Sequence, residues 1–169
     1  QTLEFLNNFK KIENDFKCIF IGGPSGKYGN EYLEELKQTV KYLSLDTHVE
    51  FVDNLPQTKI IKLLNKAKLL IHTSQFETFG LVAIEAQTMG VPVLSINNGS
   101  LMEIIENNKN GYLSETLIDR GVTNFVNNLF NENKIFEKIS SSCIEMSKKY
   151  DWKKTSRIIQ NIYEGLVTY

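Results

Sequence analysis

Short apolar runs alternate with amphipathic segments along the chain. Runs of β-branched and other apolar residues that end at turn residues predict strands at positions 16–21, 49–52, 68–72, 92–94 and 111–113. Apolar residues spaced three or four apart predict helices at positions 2–13, 31–43, 57–66, 81–89, 101–106, 119–130, 135–150 and 152–167. Because strands and helices alternate, the pattern favours an α/β domain.

A strand, loop, helix and strand at positions 69–95 carry the candidate chemistry. Glu77 lies in the loop, and Glu85 lies about one turn into the helix, which Gly90 ends. Helical side chains tilt toward the helix N-terminus, so Glu85 can lean toward the opening that Glu77 faces. We therefore expect the two carboxylates to frame one polar site.

The start of this helix is a candidate phosphate site. The first N–H groups of a helix have no internal acceptor, and we expect four of them to be free here, those of Phe79, Gly80, Leu81 and Val82. Such an end carries roughly half a positive charge and receives phosphate readily. Gly80 allows a ligand to approach the backbone closely. The alternative is that both acidic residues merely follow the preference for negative charge at a helix start.

Several segments in order resemble one family. Positions 77–85, Glu-Thr-Phe-Gly-Leu-Val-Ala-Ile-Glu, resemble the Glu-x7-Glu motif of retaining glycosyltransferases of the GT-B fold, of the group 1 or family 4 type. Positions 86–93 resemble that family's EA-x-x-x-G-x-P-V continuation. Positions 98–105 resemble its G-G-x-x-E-I-V segment, with Ser100 in place of the second Gly, and positions 110–113 resemble its N-G-x-L. The resemblance covers nearly the whole chain as the family's C-terminal, donor-binding domain.

The resemblance implies one domain over residues 1–169, with a doubly wound, Rossmann-like α/β fold and a parallel sheet. This domain would be the C-terminal half of a GT-B glycosyltransferase. The implied activity moves a sugar from a nucleotide-diphosphate sugar to a hydroxyl acceptor, with retention of configuration and without a metal or another cofactor. The acceptor would be a growing glycan, glycolipid or polysaccharide. The helix at 151–167, with Asp151 as its N-cap, is expected to cross to an N-terminal acceptor domain.

The resemblance also assigns roles to individual residues. Glu77 is expected to bind the sugar hydroxyls at the reacting end and is the catalytic candidate, whereas Glu85 is expected to bind the ribose. The N–H groups of Gly80, Leu81 and Val82 are expected to receive phosphate. The remaining candidates for nucleotide-sugar binding are Phe79, Gly22, Gly23, Asn54, Leu55, Gly99 and Ser100.

The glycine loop that follows the first predicted strand matches neither of two common phosphate motifs. A P-loop needs four residues between its glycines and a Ser or Thr after its Lys. Here three residues separate Gly22 from Gly26, and an aromatic residue follows Lys27. Pro24 occupies the place of the second Gly in a dinucleotide fingerprint. In the resemblance, Gly22 and Gly23 border the nucleotide, and a plain turn is the alternative.

One family feature has no counterpart in the sequence. The family's domain begins with a strand carrying Gly-Arg and a following Lys, which grip the donor pyrophosphate, and no position matches them. In the strand order 3-2-1-4-5-6 that strand is central, between the strands at 16–21 and 68–72. We expect either a strand from elsewhere to fill this slot or its two neighbours to pair directly. Without the clamp and the acceptor domain, the isolated chain should be inactive and bind donors on the order of millimolar.

Composition adds little to this picture. The 169 residues carry a net charge of −1, which argues against nucleic acid as a main partner. The two cysteines fall in predicted elements and are typical of buried thiols in a reducing compartment. No run is long and apolar enough to span a membrane. We expect a cytoplasmic location, with peripheral association at the cytoplasmic face of a membrane left open for the full-length enzyme.

No cluster of His, Cys, Asp and Glu has metal-ligand spacing, so the sequence predicts no metal site. His72 closes a strand and is interpreted as a structural histidine. Two alternatives to the transferase remain, a GT-B sugar-nucleotide epimerase and a non-catalytic nucleotide-binding module of doubly wound fold. A Gly-Arg strand and an acceptor domain in the full-length gene would favour the enzyme.

Overall fold

The structure, a computed structural model, describes residues 2–9 and 17–167. This part of the chain forms five β-strands and eight α-helices. The strands are β1 Cys18–Ile21, β2 Val49–Val52, β3 Leu70–His72, β4 Val93–Ile96 and β5 Gly111–Ser114. The helices are α1 Thr2–Phe9, α2 Gly29–Tyr42, α3 Gln57–Leu64, α4 Leu81–Thr88, α5 Leu101–Ile104, α6 Arg120–Asn131, α7 Asn133–Ser147 and α8 Trp152–Val167. A 3₁₀ turn, Lys148–Tyr150, lies between α7 and α8.

The pairings between the described strands are all parallel. β1 pairs with β2, and Cys18 lies opposite Val49. In a second sheet β4 lies between β3 and β5, with Val93 opposite both Leu70 and Gly111. Parallel neighbours need a crossover connection. Accordingly α2 joins β1 to β2, α4 joins β3 to β4, and α5 joins β4 to β5.

β4 is the most deeply buried strand of the described sheets, since all four of its residues are buried. Successive strand residues point to opposite faces. Leu94 and Ile96 belong to the core cluster with α1, α2, α6 and α7, whereas Val93 belongs to the cluster with α3, α4 and α5. Helices therefore cover both faces of the sheet. Burying a side chain such as Leu94, which is 0% exposed, contributes about 1.5–3 kcal/mol to stability.

β1 and β3, which flank the expected central slot, do not pair with each other in the described part of the chain. The expectation of direct pairing is therefore wrong for these residues. Phe5 and Leu6 of α1 share one core cluster with residues of β1 and β3, so both sheets pack on common helices without joining at their edges. Positions 2–9 form a helix, and positions 10–16 lie outside the described residues. A strand from elsewhere in the slot stays a prediction.

The facing edges of β1 and β3 can be assigned from the backbone hydrogen bonds. The N–H groups of Cys18 and Gly22 donate to carbonyls on the β2 side, and that of Leu70 donates to the β4 side. Because N–H direction alternates along a strand, the N–H groups of Ile19 and Ile21 point away from β2. The side chains of Ile19 and Ile21 are 38% and 40% exposed.

The predicted element types agree with the structure, while several boundaries differ. The helix predicted at 57–66 ends at Leu64, and the helix predicted at 135–150 spans 133–147 before tightening into the 3₁₀ turn. Helix ends fray and often close as 3₁₀ turns, which the apolar spacing does not register. The remainder of the helix predicted at 2–13, and the start of the strand predicted at 16–21, lie outside the described residues.

Asp151 directly precedes α8, and its Oδ1 accepts a hydrogen bond from the N–H of Lys153 at 2.9 Å. The described side chains of α8 are exposed, except that of the half-buried Thr155. Ile158 and Ile162 are 52% and 57% exposed, so an apolar face of α8 lies uncovered by the rest of the described chain. Within residues 2–9 and 17–167, no helix combines the length and apolar character needed to cross a bilayer.

Candidate functional site

The candidate site lies at the carboxyl edge of the strands. In doubly wound sheets ligands bind in the crevice outside the carboxyl ends of the strands. The loops that emerge there follow β1, β2, β3 and β4 and carry the predicted site residues. Side-chain and backbone hydrogen bonds join these loops in pairs.

Glu77 is a partly buried residue of the β3–α4 loop. Its Oε1 accepts hydrogen bonds from the N–H groups of Phe79 at 3.1 Å and Gly80 at 3.0 Å. The bond from Gly80, followed by that from Phe79, lowers the pKa of Glu77 below its ordinary value of 4.5. Burial acts in the opposite direction, and nearby His72 lowers the pKa further. Glu77 is therefore an ionised acceptor at neutral pH.

The start of α4 has fewer free N–H groups than we expected. The expectation is wrong for Phe79 and Gly80, because a carboxylate two and three residues earlier can fold back onto their N–H groups. The N–H of Ile84 donates to the carbonyl of Gly80 at 3.1 Å. Leu81 and Val82 come before Ile84 in the first turn, so their N–H groups have no acceptor within the helix. The side chains of Leu81 and Val82 are 62% and 48% exposed. These two N–H groups are the part of the predicted phosphate site that Glu77 leaves open.

Packing requires glycine at two positions beside Glu77. Gly80 has a φ of +81°, and a Cβ there would lie 2.8 Å from Cδ1 of Ile104 and 2.9 Å from Cδ2 of Leu101. Gly99 has a φ of +48°, and a Cβ there would collide with the main-chain oxygen of Glu77. Residues with a Cβ rarely adopt such a φ. The β4–α5 loop therefore lies directly against the β3–α4 loop.

Hydrogen bonds strengthen the contact between these two loops. Nδ2 of Asn98 donates to the carbonyl of Ser74 at 2.8 Å. The N–H of Ser100 donates to the carbonyl of Glu77 at 3.4 Å. The predicted site residues Gly99 and Ser100 thus contact the backbone of Glu77.

Glu85 is held by a side chain of α3, whereas Glu77 is held by its own loop. Its Oε1 accepts a hydrogen bond from Nε2 of Gln57, the first residue of α3, at 3.2 Å. Gln57 directly follows the turn that contains the predicted base-binding residues Asn54 and Leu55. Oδ1 of Asn54 accepts a hydrogen bond from the N–H of Gly23 at 3.2 Å. Glu85 and the glycine loop are therefore connected to the same turn.

The structure brings the predicted residues into two groups that α4 connects. The first group surrounds the β3–α4 loop and contains Glu77, Phe79, Gly80, Gly99 and Ser100. The second group surrounds the turn after β2 and contains Gly22, Gly23, Asn54, Leu55 and, through Gln57, Glu85. Leu81 and Val82 stand between the two carboxylates along the chain.

Two contacts at the site were missed by the sequence interpretation. Nε2 of His72 lies 3.2 Å from Oε2 of Glu77, so His72 does more than complete a strand. Its position at the carboxyl end of β3, directly before the loop, was the available signal. The bond from Gln57 to Glu85 had no sequence signal, because 28 residues separate the partners.

Metal ligands and thiols were the other candidate chemistry. Within the described residues, no group of three or more His, Cys, Asp and Glu is placed to hold a metal ion. Burial raises the pKa values of Cys18 and Cys143 to about 12, so neither thiol is ionised at neutral pH.

Residues 2–145 match the family described as glycosyl transferases group 1. The chain belongs to this family. The glycosyltransferase chain is 29% identical over 166 residues to a D-inositol 3-phosphate glycosyltransferase of Nocardioides sp., covering 95% of this chain and 36% of that protein. It is 32% identical over 124 residues to the alpha-1,3/1,6-mannosyltransferase ALG2 of Dictyostelium discoideum, covering 72% and 29%. The chain therefore spans about a third of the length of these curated relatives.

Solved structures show the same fold. The UDP complex of Anabaena Alr3699/HepE matches with a TM-score of 0.82 at 24% identity, covering 98% of this chain and 44% of that one. The UDP-glucose complex of the same protein matches at 0.80 and 25% identity, with the same coverage. The C-terminal domain of the group 1 protein LpcC of Francisella tularensis matches at 0.76 and 24% identity, covering 89% and 77%. The prediction of a Rossmann-like C-terminal domain of a GT-B glycosyltransferase is confirmed.

Proposed function

We propose that the chain is the donor-binding domain of a retaining glycosyltransferase, which moves a sugar from a nucleotide-diphosphate sugar to a hydroxyl acceptor. The observation that carries this proposal is the pair Glu77 and Glu85, fixed on either side of the exposed start of α4. Membership of the group 1 family supports it. The complex of the Anabaena protein with UDP-glucose supports the donor class.

Glu77 is the proposed catalytic residue at the sugar end. A carboxylate with a lowered pKa is ionised at neutral pH and can only accept hydrogen bonds. It therefore suits the hydroxyl groups of the sugar being transferred. Its contact with that sugar should strengthen as the bond to the leaving diphosphate breaks, because charge then develops beside a fixed carboxylate.

The N–H groups of Leu81 and Val82 are the proposed phosphate donors. They lie in the first turn of α4, where the helix dipole favours negative charge. Negative charge grows on the diphosphate as it leaves, so fixed N–H groups there stabilise the transition state. Gly80 contributes by packing, since a Cβ there would collide with the buried Ile104 and Leu101 and displace the start of α4. The ring of Phe79 is 55% exposed and is proposed to lie beside the ligand.

Glu85 is the proposed ribose-binding residue. Its remaining lone pairs are available to two neighbouring hydroxyls while Gln57 holds one oxygen. The base would lie toward the turn that carries Asn54 and Leu55, next to Gly22 and Gly23. The opposite wall, near the sugar, would be formed by Gly99 and Ser100.

The acceptor is proposed to bind to a separate N-terminal domain. The uncovered apolar face of α8, which includes Ile158 and Ile162, is the surface that we assign to that domain. Transfer is proposed to occur without a bound metal, since the start of α4, together with the clamp that the resemblance implies for the intact enzyme, would neutralise the diphosphate instead. Peripheral contact of the intact enzyme with the cytoplasmic face of a membrane fits a glycolipid acceptor.

The isolated chain should bind donors weakly and transfer no sugar. It lacks a counterpart of the Gly-Arg…Lys clamp, so we expect dissociation constants on the order of millimolar, about −4 kcal/mol. Two other functions would use the same candidate site. One is an epimerase that acts on the sugar nucleotide, and the other is a non-catalytic nucleotide-binding module. Neither alternative is favoured, because the curated relatives named above are both transferases.

The proposal is tested first by binding and then by product analysis. Ligand-observed NMR with UDP, GDP and ADP sugars should show saturation transfer to one nucleotide class. In the intact enzyme, turnover should continue in EDTA, and the anomeric proton coupling of the product should equal that of the donor. Inversion of the anomeric centre, or activity restored only by Mn²⁺ or Mg²⁺, would contradict the mechanism. Release of an isomerised sugar nucleotide without an acceptor would instead identify an epimerase.

A further inference from the structure

His72 lies outside the predicted site, yet its side chain makes a polar contact with the proposed catalytic residue Glu77. Its Nε2 lies 3.2 Å from Oε2 of Glu77, the oxygen that does not accept from the α4 start. The two side chains are 13% and 24% exposed, so the contact is shielded from solvent. A polar contact to a carboxylate that is shielded from solvent restrains its orientation more firmly than a contact at the surface does.

The backbone around His72 is itself held in place. His72 lies opposite Ser95 in the β3–β4 pairing, and Oγ of Ser95 donates to the His72 carbonyl at 3.0 Å. The next residue, Thr73, accepts a hydrogen bond from the hydroxyl of Thr2 at 2.9 Å. The imidazole therefore projects from a strand end that two other elements hold in position.

The second ring nitrogen indicates which tautomer is present. Nδ1 of His72 is buried and has no hydrogen-bond partner among the described residues. A buried N–H without an acceptor is more unfavourable than a buried lone pair, so the proton belongs on Nε2. In this tautomer the Nε2 proton lies on the nitrogen that is 3.2 Å from Oε2 of Glu77.

A carboxylate has about four lone-pair sites for hydrogen bonds. In Glu77, Oε1 accepts from two backbone N–H groups, and Oε2 faces His72. We propose that His72 is a positioning residue for Glu77, which leaves one lone pair of Oε2 aimed at a single donor hydroxyl. The inference rests on the proposed role of Glu77 and adds that His72 sets the direction of its free lone pair.

The tautomer can be read without any activity assay. The chain contains two histidines, His48 and His72, so ¹⁵N-histidine labelling gives two imidazole spin systems. Long-range ¹H–¹⁵N correlation should show His72 as the Nε2–H form with an unprotonated Nδ1, and a His48→Gln variant assigns the two systems. An Nδ1–H form at His72 would overturn the inference.

The kinetic test compares two replacements in the intact enzyme. The amide nitrogen of glutamine can reach the place of Nε2, so His72→Gln should keep a donor to Glu77, whereas His72→Leu removes it. We expect His72→Leu to lower kcat by about tenfold or more, because a misplaced catalytic group costs rate, with donor KM changed less than about threefold. His72→Gln should restore most of kcat, and His48→Gln serves as the control outside the site.

Failure of the inference and failure of the proposed function give different results. Equal kcat values for His72→Leu and His72→Gln, with Glu77→Ala still strongly impaired, would overturn the positioning role alone. Normal kcat in Glu77→Ala would overturn the role of Glu77 and with it this inference. Equal loss of thermal stability in both His72 variants, without rescue of kcat by Gln, would assign His72 a purely structural role.

Discussion

Glu77 and Glu85 differ in what holds each carboxylate. Glu77 accepts from two N–H groups of its own loop and faces His72, whereas Glu85 is bound by one amide side chain from α3. Glu85 therefore keeps most of its hydrogen-bonding capacity for a ligand. The two residues should respond differently to substitution.

Glu85→Gln in the intact enzyme should weaken nucleotide binding. Losing a hydrogen bond between a hydroxyl and a charged carboxylate reduces binding by about 1–3 kcal/mol. Titration calorimetry with the nucleoside diphosphate measures this change. Glu34→Gln, at an exposed site paired with Lys37 on α2, is the matched control and should bind as the parent does. If Glu85→Gln binds the nucleoside diphosphate as tightly as the parent does, Glu85 does not bind the ribose.

Glu77 should make stability depend on pH. Its folded-state pKa is lowered, so its contribution is fully present above the unfolded value of 4.5 and is lost as pH falls through the folded value. The difference in free energy of unfolding between the parent and Glu77→Gln should therefore be larger at about pH 7 than at about pH 3. Urea unfolding at both pH values measures it, and an equal difference at the two would contradict the assignment.

Gly99→Ala should destabilise the chain by more than about 1 kcal/mol, because the added Cβ combines a strained φ with a collision against Glu77. Gly165→Ala is the control, since nothing lies within 4 Å of a Cβ added there. That variant should leave the global unfolding midpoint unchanged. Thermal and urea unfolding compare the two, and a neutral Gly99→Ala would show that the β4–α5 loop can shift.

At the scale of elements, α6 and α8 have the same type of N-cap but different surroundings. Asp119 accepts a hydrogen bond from the N–H of Val122 at 2.7 Å, and α6 buries Val122, Phe125, Val126 and Leu129. Asp151 caps α8 in the same way, yet the described side chains of α8 are nearly all exposed. A cap stabilises the whole fold only when its helix is packed into the core.

Asp119→Ala should therefore lower the free energy of unfolding by about 0.5–2 kcal/mol, the usual effect of losing an N-cap. Asp151→Ala should leave that free energy nearly unchanged and reduce the helicity of α8 instead. Urea unfolding measures the first effect, and amide exchange within α8 measures the second. Equal global destabilisation by both variants would mean that α8 packs on the domain.

The sequence predicted elements more reliably than contacts. Apolar spacing is a local property, so the strand before Glu77 and the helix that Gly90 ends were both expected, and Gly90 has the left-handed φ of +74° typical of that place. The hydrogen bond from Gln57 to Glu85 and the contact between His72 and Glu77 depend on how separate loops meet. No local pattern encodes those distances. For the same reason the N–H groups of Phe79 and Gly80 were expected to be free, whereas both donate to Glu77.

At the scale of the whole molecule, the facing edges of β1 and β3 are unpaired in the described part of the chain. Unpaired backbone groups that become buried are unfavourable by about 1–3 kcal/mol each. A sixth strand between β1 and β3 would remove both open edges at once.

Amide hydrogen exchange can detect that strand. The N–H groups of Ile19 and Ile21 point to the open edge, so they should exchange rapidly in this chain. They should become protected in a version of the protein that includes any residues encoded upstream of Gln1. Leu70, whose N–H is bonded to the β4 side, should be protected in both and is the control. Unchanged rapid exchange at Ile19 and Ile21 would show that no strand occupies the slot.

The interlocked loops after β3 and β4 bear on how this domain could be re-engineered. Gly99 lies too close to the Glu77 carbonyl for any side chain, and Ser100 and Asn98 bind the backbone of the neighbouring loop. A loop graft from a relative with another donor must therefore exchange positions 74–80 and 98–100 together. Although 17 residues separate them in the sequence, these two segments form one structural unit.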